Sequence, residues 1–153
     1  MRFDVLAGIA LGGAIASIVA CHPAPTVDSF ERRMSKHNEI SALWTQIRGW
    51  RRDAAMDLDP ATQMMSYVRG KSVREGVKPC LAAKPRACDD VCGLGDAICD
   101  NAEAICNLAA ELGKDDDFAQ EKCASAKASC VEAQQRCCDC STAPPPSAPE
   151  TAP

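Results

Sequence analysis

Six cysteines at seven-residue intervals constrain this chain more than any other feature. Cys92, Cys99 and Cys106 stand in one segment, and Cys123, Cys130 and Cys137 in a second. Between the segments lies Gly113-Lys114-Asp115-Asp116-Asp117, a helix stop followed by a helix start. Folding one segment back on the other pairs Cys106 with Cys123, Cys99 with Cys130 and Cys92 with Cys137. In each pair the residue numbers add to 229, so a single antiparallel register aligns every rung. The expectation is an all-α protein built on a disulfide-clamped antiparallel helical hairpin.

The residues between the rungs fit that expectation. Three positions after each cysteine come Gly95, Ala102 and Ala109 on the first arm, and Ala126, Ala133 and Cys140 on the second. Ordinary helices pack ~8–10 Å apart, whereas a disulfide needs Cα atoms ~4.4–6.8 Å apart, so only small residues fit between rungs. A seven-residue repeat drifts ~20° per heptad around a straight helix, and a slight left-handed coil keeps the rungs facing. Gly113 suits a left-handed helix stop, and Asp117 with Gln120 suits a capping box. Gly93 and Gly95 weaken the helix around Cys92, so the outer rung is expected in a turn. Beside the cysteines, Val91, Ile98, Ile105 and Leu112 make a second heptad row that a disulfide seam does not bury.

Cys80, Cys88, Cys138 and Cys140 remain. Continuing the register brings Cys88 near Cys140 and leaves Cys80 for Cys138, although four cysteines allow three pairings. Eleven cysteines in 153 residues point to an oxidising compartment, and with aromatics at 4% crosslinks replace part of an apolar core.

Upstream, residues 26–79 read as a helical segment and linker, and 80–140 as the cysteine-rich α-hairpin domain. An amphipathic helix is expected over Thr26–Arg52, its stripe formed by Val27, Phe30, Met34, His37, Ile40, Trp44, Ile47 and Arg51 and widened by Leu43 and Trp50. It is the natural cover for the second heptad row. His37 falls on that stripe and reads as a hydrogen-bonded packing residue, since no carboxylate cluster adjoins it in sequence. Asp59-Pro60 reads as a cap and first turn for a short helix, Pro60–Arg69, closed by Gly70. Met64 and Met65 read as packing filler. Lys71–Ala87 loses periodicity and reads as a linker. The tail 141–153 has five prolines and little to bury, so it is expected to be disordered.

Residues 1–20 read as a signal peptide. Val5–Ala20 is an uncharged run of sixteen residues. Such a run spans ~24 Å as a helix, short of the ~30 Å hydrocarbon core, which suits a signal rather than a span. Its end, Ile18-Val19-Ala20-Cys21, resembles the bacterial lipobox, and that resemblance implies lipidation at Cys21, followed by a short tether, residues 21–25. The alternative is an ordinary secretory signal cleaved near Ala20. The lipobox reading also removes one cysteine from eleven and leaves an even number for bridging. His22 follows the cysteine where enterobacterial lipoproteins retained in the inner membrane carry aspartate; by that resemblance the outer membrane is implied in a Gram-negative host. The hairpin is similar to twin CX9C proteins, with CX6C spacing here and three cysteines on each arm, so their roles do not carry over. The N-terminus together with Cys88–Cys140 resembles cysteine-rich lipoproteins of the myxobacterial type, which implies a location and no activity.

Residues 22–79 hold ten Lys/Arg against seven Asp/Glu, and residues 80–143 hold six against twelve. Neither half has the concentrated basic face that nucleic acid requires. Three functions follow. The first is a non-enzymatic envelope lipoprotein with a structural or protein-contact role, its partners being the membrane through its anchor and an envelope protein. The second is thiolate-based handling of Cu(I) or Zn, suggested by the cluster Cys137-Cys138-x-Cys140. The third is a thiol–disulfide enzyme, for which the redox CxxC on an α/β frame is missing. Hydrolytic motifs, phosphate loops and paired catalytic carboxylates do not appear, and no cofactor or resident metal is expected.

Overall fold

A computed structural model describes residues 27–78, 80 and 88–142. The signal segment, Cys21, the tether, most of the stretch 79–87 and the proline-rich tail lie outside the described residues. The remainder is all-helical: α1 (Val27–Asp53), α2 (Thr62–Val68), α3 (Asp89–Leu112) and α4 (Asp117–Thr142). Helices α3 and α4 form the disulfide-clamped antiparallel hairpin, and α1 and α2 pack onto its outside.

Cysteine and alanine dominate the hairpin seam. Cys99, Ala102, Ala126 and Cys130 are fully buried, and Ala109 and Ala133 nearly so. Gly95 lies against the Ala133 backbone, where a Cβ would come within 3.4 Å of the carbonyl oxygen. At the turn, Gly113 takes φ +94° and its N–H donates to the Ala109 carbonyl. The helix nevertheless runs unbroken through Cys92 and both nearby glycines. The expected turn at the outer rung is therefore corrected. Asp89 and Asp90 favour the first turn, and bridges at Cys88 and Cys92 fix the segment on both sides of its weak residues.

The second heptad row is covered by α1. Ile98 and Ile105 are fully buried against Ile40, Trp44 and Ile47, with Leu43, Trp50 and Leu112 packed at the margins. The stripe buries only its C-terminal part, however: Phe30 is 63% and Met34 41% exposed. The hairpin ends at Gly113, and the first turns of α1 contribute no residue to the core cluster. On the far side of α4, Val68 of α2 packs against Ala128 and Val131, with Met64, Met65 and Val77 filling around them.

One further expectation changes. The short helix begins at Thr62, after Ala61, with no side-chain cap. Asp59 instead pairs with Arg48 at 3.3 Å. Residues 71–78 form turns that pack on the hairpin: Val73 joins the main core, Gly76 is buried, and Lys127 donates to the Lys71 carbonyl.

Helix α1 ends in a two-bond lock. The Met56 N–H donates to the Arg51 carbonyl and the Ala55 N–H to the Arg52 carbonyl, with Ala55 at φ +54°. This is the Schellman arrangement, and it places alanine where glycine is usual. A left-handed alanine costs ~1–2 kcal/mol, offset partly by the extra unfolded-state freedom of glycine. Ala55→Gly should therefore stabilise the fold by about 0.5–1 kcal/mol, read as a raised Tm. A lowered Tm would show that the lock carries no such strain.

Candidate functional site

Five disulfides join the ten cysteines among the described residues. Cys106–Cys123, Cys99–Cys130 and Cys92–Cys137 cross the seam with Cα separations of 4.7, 4.6 and 4.7 Å. These are the rungs of the single antiparallel register. Past them, Cys88 joins Cys140 at 5.9 Å and Cys80 joins Cys138 at 5.0 Å. Both of these attach the segment entering α3 to the last turns of α4. Cys88, Cys92 and Cys137 form a small buried cluster with Cys80 and Cys140 at its edge, so the open end is sulfur-filled. The dense Cys137-Cys138-x-Cys140 run thus divides among three separate bridges. A helix makes this possible, because adjacent residues point ~100° apart around its axis.

The closed end carries a polar cluster that sequence reading did not assemble. His37 of α1 sets Nε2 2.9 and 3.0 Å from the two carboxylate oxygens of Asp116. Its ring lies 4.8 Å from that of Phe118, and Arg33 approaches Asp116 at 3.9 Å. Asp116 is buried, with its side chain 4% exposed, and its Oδ1 accepts the Ala119 N–H at 3.1 Å. Asp116 is thus the residue that caps α4, which corrects the expectation of Asp117. Gln120 reaches back as well, but to the Ala109 and Gly113 carbonyls at 3.0 and 3.1 Å, and so ties α4 to the end of α3. Burial alone would push the Asp116 carboxyl up. The His37 hydrogen bond, the Ala119 N–H and the charges of His37 and Arg33 outweigh it and hold the group below its ordinary value.

A second fastening lies at the other end of α1. Arg51 is 1% exposed, and its Nη2 donates to Glu132 Oε2 at 2.7 Å. Its Nε donates to the Asp57 carbonyl at 2.7 Å, while Glu132 Oε1 accepts the Ala61 N–H at 3.0 Å. Arg51 Nη1 has no partner among the described residues. The stripe position of Arg51 was the only sequence signal for its burial.

No group of three or more His, Cys, Asp or Glu among the described residues is placed to hold a metal ion. No helix among them is long and apolar enough to cross a membrane. Comparison with protein-family models, curated proteins and solved structures finds no match to this chain.

Two outcomes test this geometry. The inner bridge links residues 17 apart and should contribute ~3 kcal/mol in the chain-entropy model, with smaller increments from the rungs outside it. Replacing Cys99 and Cys130 together by Ala should therefore leave a helical, folded hairpin, whereas Cys99→Ala alone strands a thiol that scrambles its neighbours. Non-reducing peptide mapping at low pH reads both, and a 99–106 link would be incompatible with α3.

For Asp116, the folded-state value lies below the unfolded one, near ~3.9. Its contribution is then complete above that value and lost as pH falls through the lowered one. Asp116→Asn keeps a capping side chain and removes the charge. The stability gap between wild type and this variant should be present at neutral pH and narrow below about pH 4, as read by denaturant titration. A gap independent of pH would exclude the charge as its source.

Proposed function

We propose that this chain is a non-enzymatic lipoprotein of the cell envelope, holding a disulfide-clamped helical domain at a membrane surface for structural or protein contact. One observation carries the reading. Of eleven cysteines, ten are bridged, and the one left over is Cys21 of the lipobox-like sequence. A bridged framework suits the oxidising space outside the cytosol, and several acyl chains on one cysteine anchor stably where one is marginal. His22 after that cysteine supports the outer membrane in a Gram-negative host. Exposed Phe30 and Met34 lie in the first turns of α1, nine and thirteen residues beyond Cys21, and supply apolar surface for a partner there. Thiolate binding of Cu(I) or Zn would require these bridges to be reduced.

Cys21→Ser should lose lipidation and accumulate as unprocessed precursor in the membrane fraction. Normal cleavage and release into the periplasm or medium would replace the lipoprotein reading with ordinary secretion. Protein from its native envelope should show no free thiol and no stoichiometric copper or zinc. Several free thiols together with bound metal would put thiolate metal handling in first place.

A further inference from the structure

A cleft of about 440 Å³ lies between α2, the turn that follows it and the second half of α4. That is within the size range of small-molecule sites. Met56, Met64, Tyr67 and Val131 supply apolar walls, and Lys78 and Arg136 stand at the edge. Gly76 lies at the base, where a Cβ would stand 2.9 Å from Val131 Cγ2, so the backbone itself closes the floor.

The charges around this cleft are unequally committed. Glu132 is held by Arg51 and the Ala61 N–H, and Asp139 accepts the Gln135 amide at 2.8 Å. Lys78 and Arg136 are exposed and have no ion-pair partner among the described residues. Leaving out Glu132, which Arg51 holds, the charged side chains of the cleft are Lys78, Arg136 and Asp139, a surplus of one positive charge beside the apolar residues.

The chemistry of the walls narrows the ligand further. Gly76 and Val131 are the buried residues of the lining among the described residues, and neither offers a polar side chain to orient a sugar or base. The Tyr67 ring is already faced by Lys71 Nζ, 3.5 Å from its centroid. Methionine thioethers are unbranched and adapt to a flexible chain. A cleft of this volume suits a single medium-length acyl chain, for which the twelve-carbon dodecanoate is the probe chosen below.

We propose that this cleft binds a free single-chain acyl carboxylate, with the chain along Met56, Met64 and Val131 and the carboxylate at Lys78 and Arg136. The site is independent of the anchoring proposed above.

Isothermal titration of the oxidised full chain, stripped of bound amphiphiles, with monomeric dodecanoate tests it. Saturable one-to-one binding is expected. The double variant Lys78→Gln/Arg136→Gln should weaken it about tenfold, the worth of one charged hydrogen bond. Both side chains are exposed, so the variant's melting curve should stay unchanged and separate binding from folding. Uncharged dodecanol should bind about tenfold more weakly than dodecanoate. No saturable heat with dodecanoate, equal affinity for dodecanol, or full affinity in the double variant would each overturn the proposal. So would binding to phospholipid vesicles without binding to monomeric dodecanoate, since the ligand would then be a membrane lipid.

Discussion

The short distance between α3 and α4 governs the rest of this structure. Three bridges hold their Cα atoms 4.6 to 4.7 Å apart, where helices packed through ordinary side chains stand ~8–10 Å apart. Nothing larger than cysteine or alanine fits that seam. The hairpin accordingly cannot place a large-residue core between its own two helices, and its bulky apolar residues face outward. Ile98 and Ile105 need α1 as a cover, and Ala128 and Val131 need α2. Covalent clamping thus sets the need for the two helices that precede it. With few aromatics, burial through Ile40, Trp44 and Ile47 contributes a modest core, and crosslinks restrict the unfolded chain in compensation.

Charge follows the same division. The segment before residue 80 is net basic and the cysteine module net acidic. Across the interface this asymmetry is used internally: Arg33 and His37 meet Asp116, Lys36 meets Glu111, Arg51 meets Glu132, and Arg74 meets Asp100 and Glu103. The exposed pairs among these contribute little stability each and mainly favour one orientation of α1 over others. The two pairs with a buried member, His37–Asp116 and Arg51–Glu132, differ, because removing the partner strands a buried charged group. Asp116 and Arg51 therefore fasten α1 near its two ends, while the apolar contacts between them supply the burial.

Two of the exposed surfaces among the described residues enter the proposals. One is the first turns of α1, with Phe30 and Met34 exposed; the other is the methionine-lined cleft between α2 and α4. The proposed protein contact draws on the former and the proposed acyl-carboxylate site on the latter. Both are presented by helices anchored to a crosslinked frame, so neither needs the hairpin to open.

The heptad cysteines by themselves determined the hairpin, its turn at Gly113 and the register of three bridges. The reason is that a helix repeats every ~3.6 residues, so seven-residue spacing fixes one face before any tertiary contact exists. Small residues three places on carried the same message about close approach. What tertiary structure decided lies where several local choices had nearly equal energy. Asp116 and Asp117 could each cap α4, and the one facing His37 and Arg33 took the position. Asp59 could have capped α2, but Arg48 drew it away. Gly93 and Gly95 weaken a helix in isolation, and the flanking bridges held them in one. Phe30 and Met34 share a stripe with Ile40 and Trp44, and their exposure follows from where the hairpin turns. Burial of Arg51 required Glu132 from a helix 81 residues away, a partner that periodicity does not encode.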